Sequence, residues 1–106
     1  MKREPIDVSI AQEATGLVSG DRQAAYGHPY DNFLDTANLW SVILGIDVTP
    51  QQVALCMVQV KVARELNAPK RDNLVDAVGY LLTYDAVQRT AESVNCLCEG
   101  GCAYCV

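Results

Sequence analysis

The stretch from Gly45 to Gln52 is the sharpest structural boundary in this sequence, and it separates two helical patterns. A glycine is the residue that most often follows the last turn of a helix. Thr49 precedes Pro50 and stands three residues before Gln52, which is the pattern of an N-cap threonine, a proline in the first turn and a capping box. The sequence therefore predicts that one helix ends near residue 44 and that another begins near residue 50.

Four segments repeat apolar residues at the spacing of an amphipathic helix. They cover residues 9–20, 31–44, 50–66 and 72–89. Ser9 and Gln12 have the spacing of a further capping box, and no segment alternates apolar and polar residues as a half-buried strand does. The sequence predicts an all-α protein, with a small bundle of four helices in residues 1–90 and a short cysteine-rich tail in residues 91–106.

The predicted core follows from the apolar side of each helix. In the second helix this side consists of Phe33, Leu34, Ala37, Trp40, Ile43 and Leu44, and in the last helix it consists of Leu74, Val75, Ala77, Val78, Leu81 and Leu82. The third helix is apolar on two opposite sides, which is typical of a helix in the middle of a bundle. Cys56 lies on one of these sides, and we expect it to be a small core residue.

The charge balance narrows the classes of ligand. The 106 residues include 13 acidic and 8 basic side chains, for a formal charge of −5. Such a charge disfavours duplex nucleic acid, whose binding needs a basic surface. No apolar run reaches the length of a membrane span, and no apolar segment follows the N-terminal charges as in a signal peptide. We expect a cytoplasmic protein with no membrane partner, and small molecules remain candidate ligands.

Arg64 lies on an apolar side of the third helix and is expected to point towards the core. A buried arginine needs an anionic partner. Two partners fit: a carboxylate of the last helix, Asp72 or Asp76, or a ligand phosphate that Lys61 also contacts. The first alternative is a structural salt bridge, and the second is a phosphate site.

Asp72 and Asp76 lie one helical turn apart, so their carboxylates project from the same side of the last helix. Such a pair can hold Mg²⁺ and act in catalysis, although it is also common on a solvated helix surface. Tyr80 continues this line and Asn73 lies at its edge, which makes both candidate nucleotide contacts. Gly79, in mid-helix, indicates that a backbone or a ligand approaches closely there.

His28 stands between a glycine and a proline in a loop that also carries Arg22 and Tyr26. A guanidinium for phosphate and an aromatic ring for base stacking are typical of a nucleotide site. His28 is then a candidate general base or phosphate contact. The alternative is that this loop histidine has neither role.

The motifs Gly-Asp-Arg at residues 20–22, Tyr-Gly-His-Pro at 26–29, Lys-x-x-Arg at 61–64 and Asp-Asn-x-x-Asp-x-x-Gly-Tyr at 72–80 resemble those of a family of small phage and prophage proteins. That family is similar to MazG-type all-α nucleotide pyrophosphohydrolases, which bind Mg²⁺ through carboxylates on adjacent helices. The resemblance implies a helical bundle, a nucleotide ligand, Mg²⁺, a homo-oligomer and, for a phage protein, the host cytoplasm.

The pyrophosphohydrolase signature itself is missing from the predicted helices. It consists of Glu-x-x-Glu on one helix and Glu-x-x-Asp on the next, whereas the third helix here has Lys61 and Arg64 where acids would stand. Cations at these positions favour direct binding of phosphates over hydrolysis. Only Asp72 and Asp76 carry over as acids, by their position on a helix.

The C-terminal tail has four closely spaced thiols. They are Cys96, Cys98, Cys102 and Cys105. Four thiolates around a glycine turn are compatible with a closed Zn²⁺ site, but the spacing differs from the usual paired C-x₂-C motifs. An iron–sulfur cluster and a tail without metal are the alternatives.

Three functions are compatible with these patterns. The leading hypothesis is a phage-encoded nucleotide-binding protein, either a pyrophosphohydrolase acting on NTP or dNTP or a binder without turnover. The first alternative is a protein that sequesters a modified or cyclic nucleotide used in host defence. The second is an interaction module that binds another protein and no nucleotide.

Overall fold

The computed structural model describes residues 2–19 and 27–94, and within them the fold is all-helical, as predicted. The four helices are α1 (Ser9–Val18), α2 (Pro29–Leu44), α3 (Pro50–Asn67) and α4 (Arg71–Val94). No strand occurs in these two stretches. None of the four helices has the length and apolarity needed to cross a membrane.

The boundary between α2 and α3 is formed as the sequence predicts. The Gln52 amide donates to Thr49 Oγ1 at 3.2 Å, and the Thr49 amide donates to Gln52 Oε1 at 3.0 Å. Gly45 has φ of 69°, a left-handed conformation that glycine adopts without strain, and its amide donates to the Ser41 carbonyl. These bonds satisfy backbone groups that a helix end leaves without partners.

The start of α1 differs from the prediction. Val8 occupies the N-cap position and makes no side-chain capping bond, so the expected box between Ser9 and Gln12 is wrong. Instead, the Ser9 amide and hydroxyl both donate to the Asp7 carboxylate. A carboxylate accepts these bonds more strongly than a neutral group would, which explains why it displaces the box.

Arg71, the first residue of α4, binds the N-terminal segment at the start of α1. Its guanidinium donates to Asp7 Oδ2 at 3.1 Å, to Glu13 Oε2 at 3.2 Å and to Ser9 Oγ at 3.0 Å. The hydrogen bonds from Ser9 lower the pKa of the Asp7 carboxyl, and Arg71 lowers it further. The start of α1 is therefore tied to the start of α4 by charge and hydrogen bonding.

The central helix is α4, not α3. It contacts each of the other three helices, while α2 also contacts α3. The three-residue connection between α3 and α4 makes them antiparallel neighbours, a unit that we call the hairpin. The buried apolar side chains are small: Ala14, Ala37, Val53, Ala54, Val58, Val75, Val87 and Ala91.

The predicted core side of α4 is confirmed only in part. Val75 is buried, whereas Leu74, Leu81 and Leu82 are 40%, 49% and 42% exposed. The opposite side of α4 faces the other helices and includes the buried Gly79. Apolar periodicity identifies which side of a helix is apolar, but not which neighbour covers it.

Two further expectations for α3 are also wrong. Arg64 is exposed rather than directed into the core, and Cys56 is exposed rather than buried. Helix α3 contacts α2 and α4 through Val53, Ala54 and Val58, which lie between and on the edges of its two apolar sides, so each of these sides is only partly covered. Arg64 consequently needs no internal carboxylate as partner.

The connection between α3 and α4 is held by Asn73, which is 9% exposed. Its Nδ2 donates to Glu65 Oε1 at 3.1 Å and to the Ala68 carbonyl at 3.2 Å. The Lys70 amide donates to the same Glu65 oxygen at 2.9 Å. Asn73 therefore fixes the turn that makes the two helices antiparallel.

Candidate functional site

A cavity of about 490 Å³ lies between α1, α2 and the hairpin. Its size falls within the range of small-molecule sites, which is about 300–1,000 Å³. The side chains on its wall that carry chemistry are Asn32, Phe33, Lys61, Asp76, Tyr80 and Thr83. They come from α2, α3 and α4, so the packing of these three helices forms the cavity.

Lys61 and Asp76 form an ion pair in the cavity wall. Lys61 Nζ lies 3.0 Å from Asp76 Oδ2, and the side chains are 14% and 38% exposed. Lys61 projects from the side of α3 that also carries the buried Val58, which is why its ammonium is withdrawn from solvent. An ammonium has three N–H donors, so one carboxylate oxygen does not use its full capacity.

An aromatic pair forms another part of the wall. The ring centroids of Phe33 and Tyr80 are 6.4 Å apart, and the ring planes differ by 28°. This separation is typical of aromatic pairs in proteins. Phe33 comes from α2 and Tyr80 from α4, so the two helices together hold the rings in place.

Gly79 lies in the same wall, where α1 packs closely against α4. A Cβ at this position would lie 3.4 Å from Val18 Cγ1. The neighbour of Gly79 is therefore a side chain of α1 in ordinary van der Waals contact, whereas the sequence suggested a backbone or a ligand. Next to it, Thr83 Oγ1 donates to the Gly79 carbonyl at 2.9 Å, so this hydroxyl proton serves the helix backbone.

Of the sequence-predicted site residues, the structure brings Lys61, Asp76 and Tyr80 to the cavity. Asp72 and Arg64 are exposed and do not line it. Asn73 lies in the hairpin turn, where its amide is engaged with Glu65 and Ala68.

Some of the predicted loop residues lie outside the part of the chain that the structure describes. Arg22 and Tyr26 are not among the described residues. His28 is the N-cap of α2, and its Nδ1 accepts the Tyr30 amide at 3.0 Å. Its neighbours Gly27 and Pro29 line the cavity, while its own ring caps the helix.

The predicted metal sites were Asp72 with Asp76 and the four tail cysteines. Residues 2–19 and 27–94 contain no group of three or more His, Cys, Asp or Glu side chains that could hold a metal ion. Asp76 is the only acid of its pair on the cavity, and it faces Lys61. Cys96, Cys98, Cys102 and Cys105 lie outside the described residues.

Phe33 is the site residue that the sequence did not single out. Its helical spacing placed it on the apolar side of α2, where it counted as core, and the structure places it half-buried at the cavity. The available signal was its position directly after Asn32, close to the Tyr-Gly-His-Pro motif. Nothing in the sequence indicated that α1 closes the cavity through Leu17 and Val18.

Residues 9–88 match a protein family described as "Domain of unknown function (DUF6378)". This match covers most of the chain, so the chain belongs to that family. All the cavity-lining side chains lie within the matched residues.

Two relatives are phage proteins. The Gene 55 protein of Mycobacterium phage D29 is 40% identical over 73 residues, which are 68% of this chain and 48% of the relative. The Gene 55 protein of Mycobacterium phage L5 is 32% identical over 83 residues, 76% of this chain and 53% of the relative. The chain thus spans about half the length of these relatives. No solved structure matches it.

Proposed function

We propose that this chain binds a nucleotide in the cavity, with the phosphate on Lys61 and the base against Phe33 and Tyr80. The observation that carries the proposal is that one cavity brings a largely buried ammonium together with an aromatic pair. The same residue types are what the phosphate and the base of a nucleotide require.

The phosphate is the part of the ligand that Lys61 recognises. Its Nζ keeps donors beyond the one facing Asp76, and hydrogen bonds between charged groups are about twice as strong as those between neutral ones. Because the side chain is only 14% exposed, salt screens this interaction less than it would at the surface. The burial of Lys61 therefore favours an anionic ligand.

The base is the part that the aromatic pair recognises. Stacking of a base on an aromatic side chain contributes about 1–3 kcal/mol, and it tolerates different bases because each has a π-face. Packing between α2 and α4 holds the Phe33 and Tyr80 rings before the ligand arrives. Such preorganisation lowers the entropic cost of binding.

The charges favour a nucleotide with a single phosphate. Lys61 and Asp76 are the charged residues in the described part of the wall, and their charges cancel. Each additional phosphate would bring negative charge towards the Asp76 carboxylate without another described cation to meet it. Nucleoside monophosphates and cyclic nucleotides are therefore the expected ligand class, which agrees with a sequestering role.

Calorimetry with the full-length chain tests this proposal. The ligands are the four nucleoside monophosphates, a cyclic nucleotide and inorganic phosphate, each with and without Mg²⁺. We expect at least one nucleotide to bind, and we expect Lys61→Met to weaken it about tenfold or more, because a hydrogen bond to a charged group contributes about 1.5–3 kcal/mol. Lys70→Met removes the same charge from the exposed connection of the hairpin and serves as control.

Absence of binding by every nucleotide, or equal losses in the Lys61 and Lys70 variants, would rule the proposal out. In the first case the interaction-module alternative gains support.

Hydrolysis is a second candidate function, and the Asp76 carboxylate on the cavity wall is the observation that favours it. Mg²⁺ is often held by one or two carboxylates together with substrate phosphates. Asp76 would then share the metal with a nucleoside triphosphate, as the likeness to MazG-type enzymes implies. Chromatography of NTP and dNTP after incubation with Mg²⁺ separates the two functions, because a binder leaves the nucleotide intact and a pyrophosphohydrolase releases the monophosphate.

A further inference from the structure

The large apolar side chains of this protein lie on its surface. Each of the nine leucines in the described stretches is at least 36% exposed, and no Ile, Met, Phe or Trp there is buried. Val53 and Val87 are the largest fully buried side chains. Leucine and isoleucine are normally among the most buried residues, so a single chain leaves its strongest hydrophobic groups uncovered.

Part of this apolar surface forms two stripes on the hairpin. Leu55, Val62 and Leu66 recur at intervals of seven and four residues along α3, and Leu74 and Leu81 are seven residues apart on α4. These intervals place each set on one side of its helix. The five side chains are 40–84% exposed, and we call the surface that they form the outer face.

The outer face is the side of the hairpin opposite to the cavity. On α4, Leu74 and Leu81 lie about half a turn from Asp76, Gly79 and Thr83 at 100° per residue. Helix α2 contacts both helices of the hairpin and α1 contacts α4, yet neither covers the stripes. A partner on the outer face would leave the cavity open.

The centre of the outer face is also free of charge, and the first charged residue beyond it on the same side of α4 is Asp85, which pairs with Arg89. In residues 51–63 of α3 and 73–84 of α4, the only charged residues are Lys61 and Asp76, which pair with each other at the cavity. The whole chain has a formal charge of −5, so two copies repel one another over most of their surface. An uncharged apolar face is where two such copies can meet without placing like charges together.

The flat footprint of the outer face is about two thirds of the accessible surface that a standard interface buries on each partner. A helix of 18 residues such as α3 is about 27 Å long, and two helices packed side by side are about 20 Å wide. A standard interface buries about 800 Å² of accessible surface on each partner, and the accessible surface of a face covered with side chains exceeds its flat footprint.

We infer that the outer face binds a second copy of this chain. The two hairpins pack against each other around a two-fold axis, because a self-complementary patch closes a dimer in this way. The leucines of both outer faces then form the core that each single chain lacks. The inference does not depend on nucleotide binding, since the outer face and the cavity share no residue.

Light scattering coupled to gel filtration tests this with the full-length chain in a reducing buffer, which prevents disulfides from linking copies. We expect twice the chain mass of 11.5 kDa at micromolar concentration. Leu81→Glu places two charges against each other in the interface and is expected to halve the mass. Val42→Glu makes the same change at an 82% exposed position on α2 and should leave the dimer intact.

A wild-type mass of 11.5 kDa across the concentration range would overturn the inference. So would a Leu81→Glu variant that stays dimeric. If this variant does not fold, the melting temperature of the wild type decides, because the melting temperature of a dimer rises with protein concentration while that of a monomer does not. A melting temperature independent of concentration also contradicts the dimer.

Discussion

Asn73 is a residue for which sequence and structure suggest different roles. It stands in the Asp-Asn motif of the predicted site, but in the fold its amide bonds Glu65 and the Ala68 carbonyl within the hairpin turn. Its side chain therefore stabilises the hairpin turn, and this role requires no ligand.

We expect Asn73→Ala to destabilise the fold by about 1–3 kcal/mol, because it removes a buried donor that bonds the Glu65 carboxylate and the Ala68 carbonyl. Nucleotide affinity should stay unchanged. Urea unfolding measures the first effect and calorimetry the second. Asp72→Asn alters the neighbouring exposed acid in the first turn of α4 and should cost no more than about 0.3–1 kcal/mol, through the loss of its interaction with the helix dipole. If the Asn73→Ala variant keeps its stability but loses affinity for the nucleotide, Asn73 is instead a residue of the binding site.

At the scale of elements, one exposed carboxylate contributes to the attachment of α1 to α4. Asp7 accepts hydrogen bonds from Ser9 and a charged contact from Arg71, and its pKa lies below the ordinary value of 3.8. A carboxyl whose pKa is lower in the folded state stabilises the fold above the unfolded value. The stabilisation is lost as the pH falls through the folded value.

The melting temperatures of wild type and Asp7→Asn should therefore differ most above pH 3.8 and converge as the pH falls below it. The guanidinium of Arg71 stays charged throughout this range, so the titration belongs to the carboxyl. Glu4→Gln is the control, since Glu4 is exposed and outside the Arg71 contacts. A difference between wild type and Asp7→Asn that does not change with pH would contradict the role of this ionisation.

Across the whole molecule, local signals predicted the helices and non-local packing decided the rest. The Thr49–Gln52 box and Gly45 encode helix ends in neighbouring residues, and these predictions are confirmed. The orientation of α4 depends on partners distant in the sequence. Its more apolar side faces outward, which periodicity alone cannot reveal.

The candidate site shows the same division between what local sequence signals predict and what non-local packing decides. Lys61, Asp76 and Tyr80 were identified from charge, spacing and motifs, and all three line the cavity. The pairing of Lys61 with Asp76, rather than of Arg64 with an acid, depends on how α3 packs on α4. Phe33 was predicted to be a core residue. An aromatic residue on the apolar side of a helix gives the same sequence pattern whether it lies in the core or in the wall of a cavity.

The affinity of Asp76→Asn for a nucleoside monophosphate in Mg²⁺-free buffer is the most direct test of nucleotide binding on Lys61. The substitution removes a negative charge beside the phosphate and leaves Lys61 its full charge for the ligand. We expect binding to tighten several-fold, on the order of 1 kcal/mol. Asp85→Asn removes the same charge from the same helix in the exposed pair with Arg89, and should have no effect. If Asp76→Asn weakens or abolishes binding while Asp85→Asn does not, Lys61 is not the phosphate site described above.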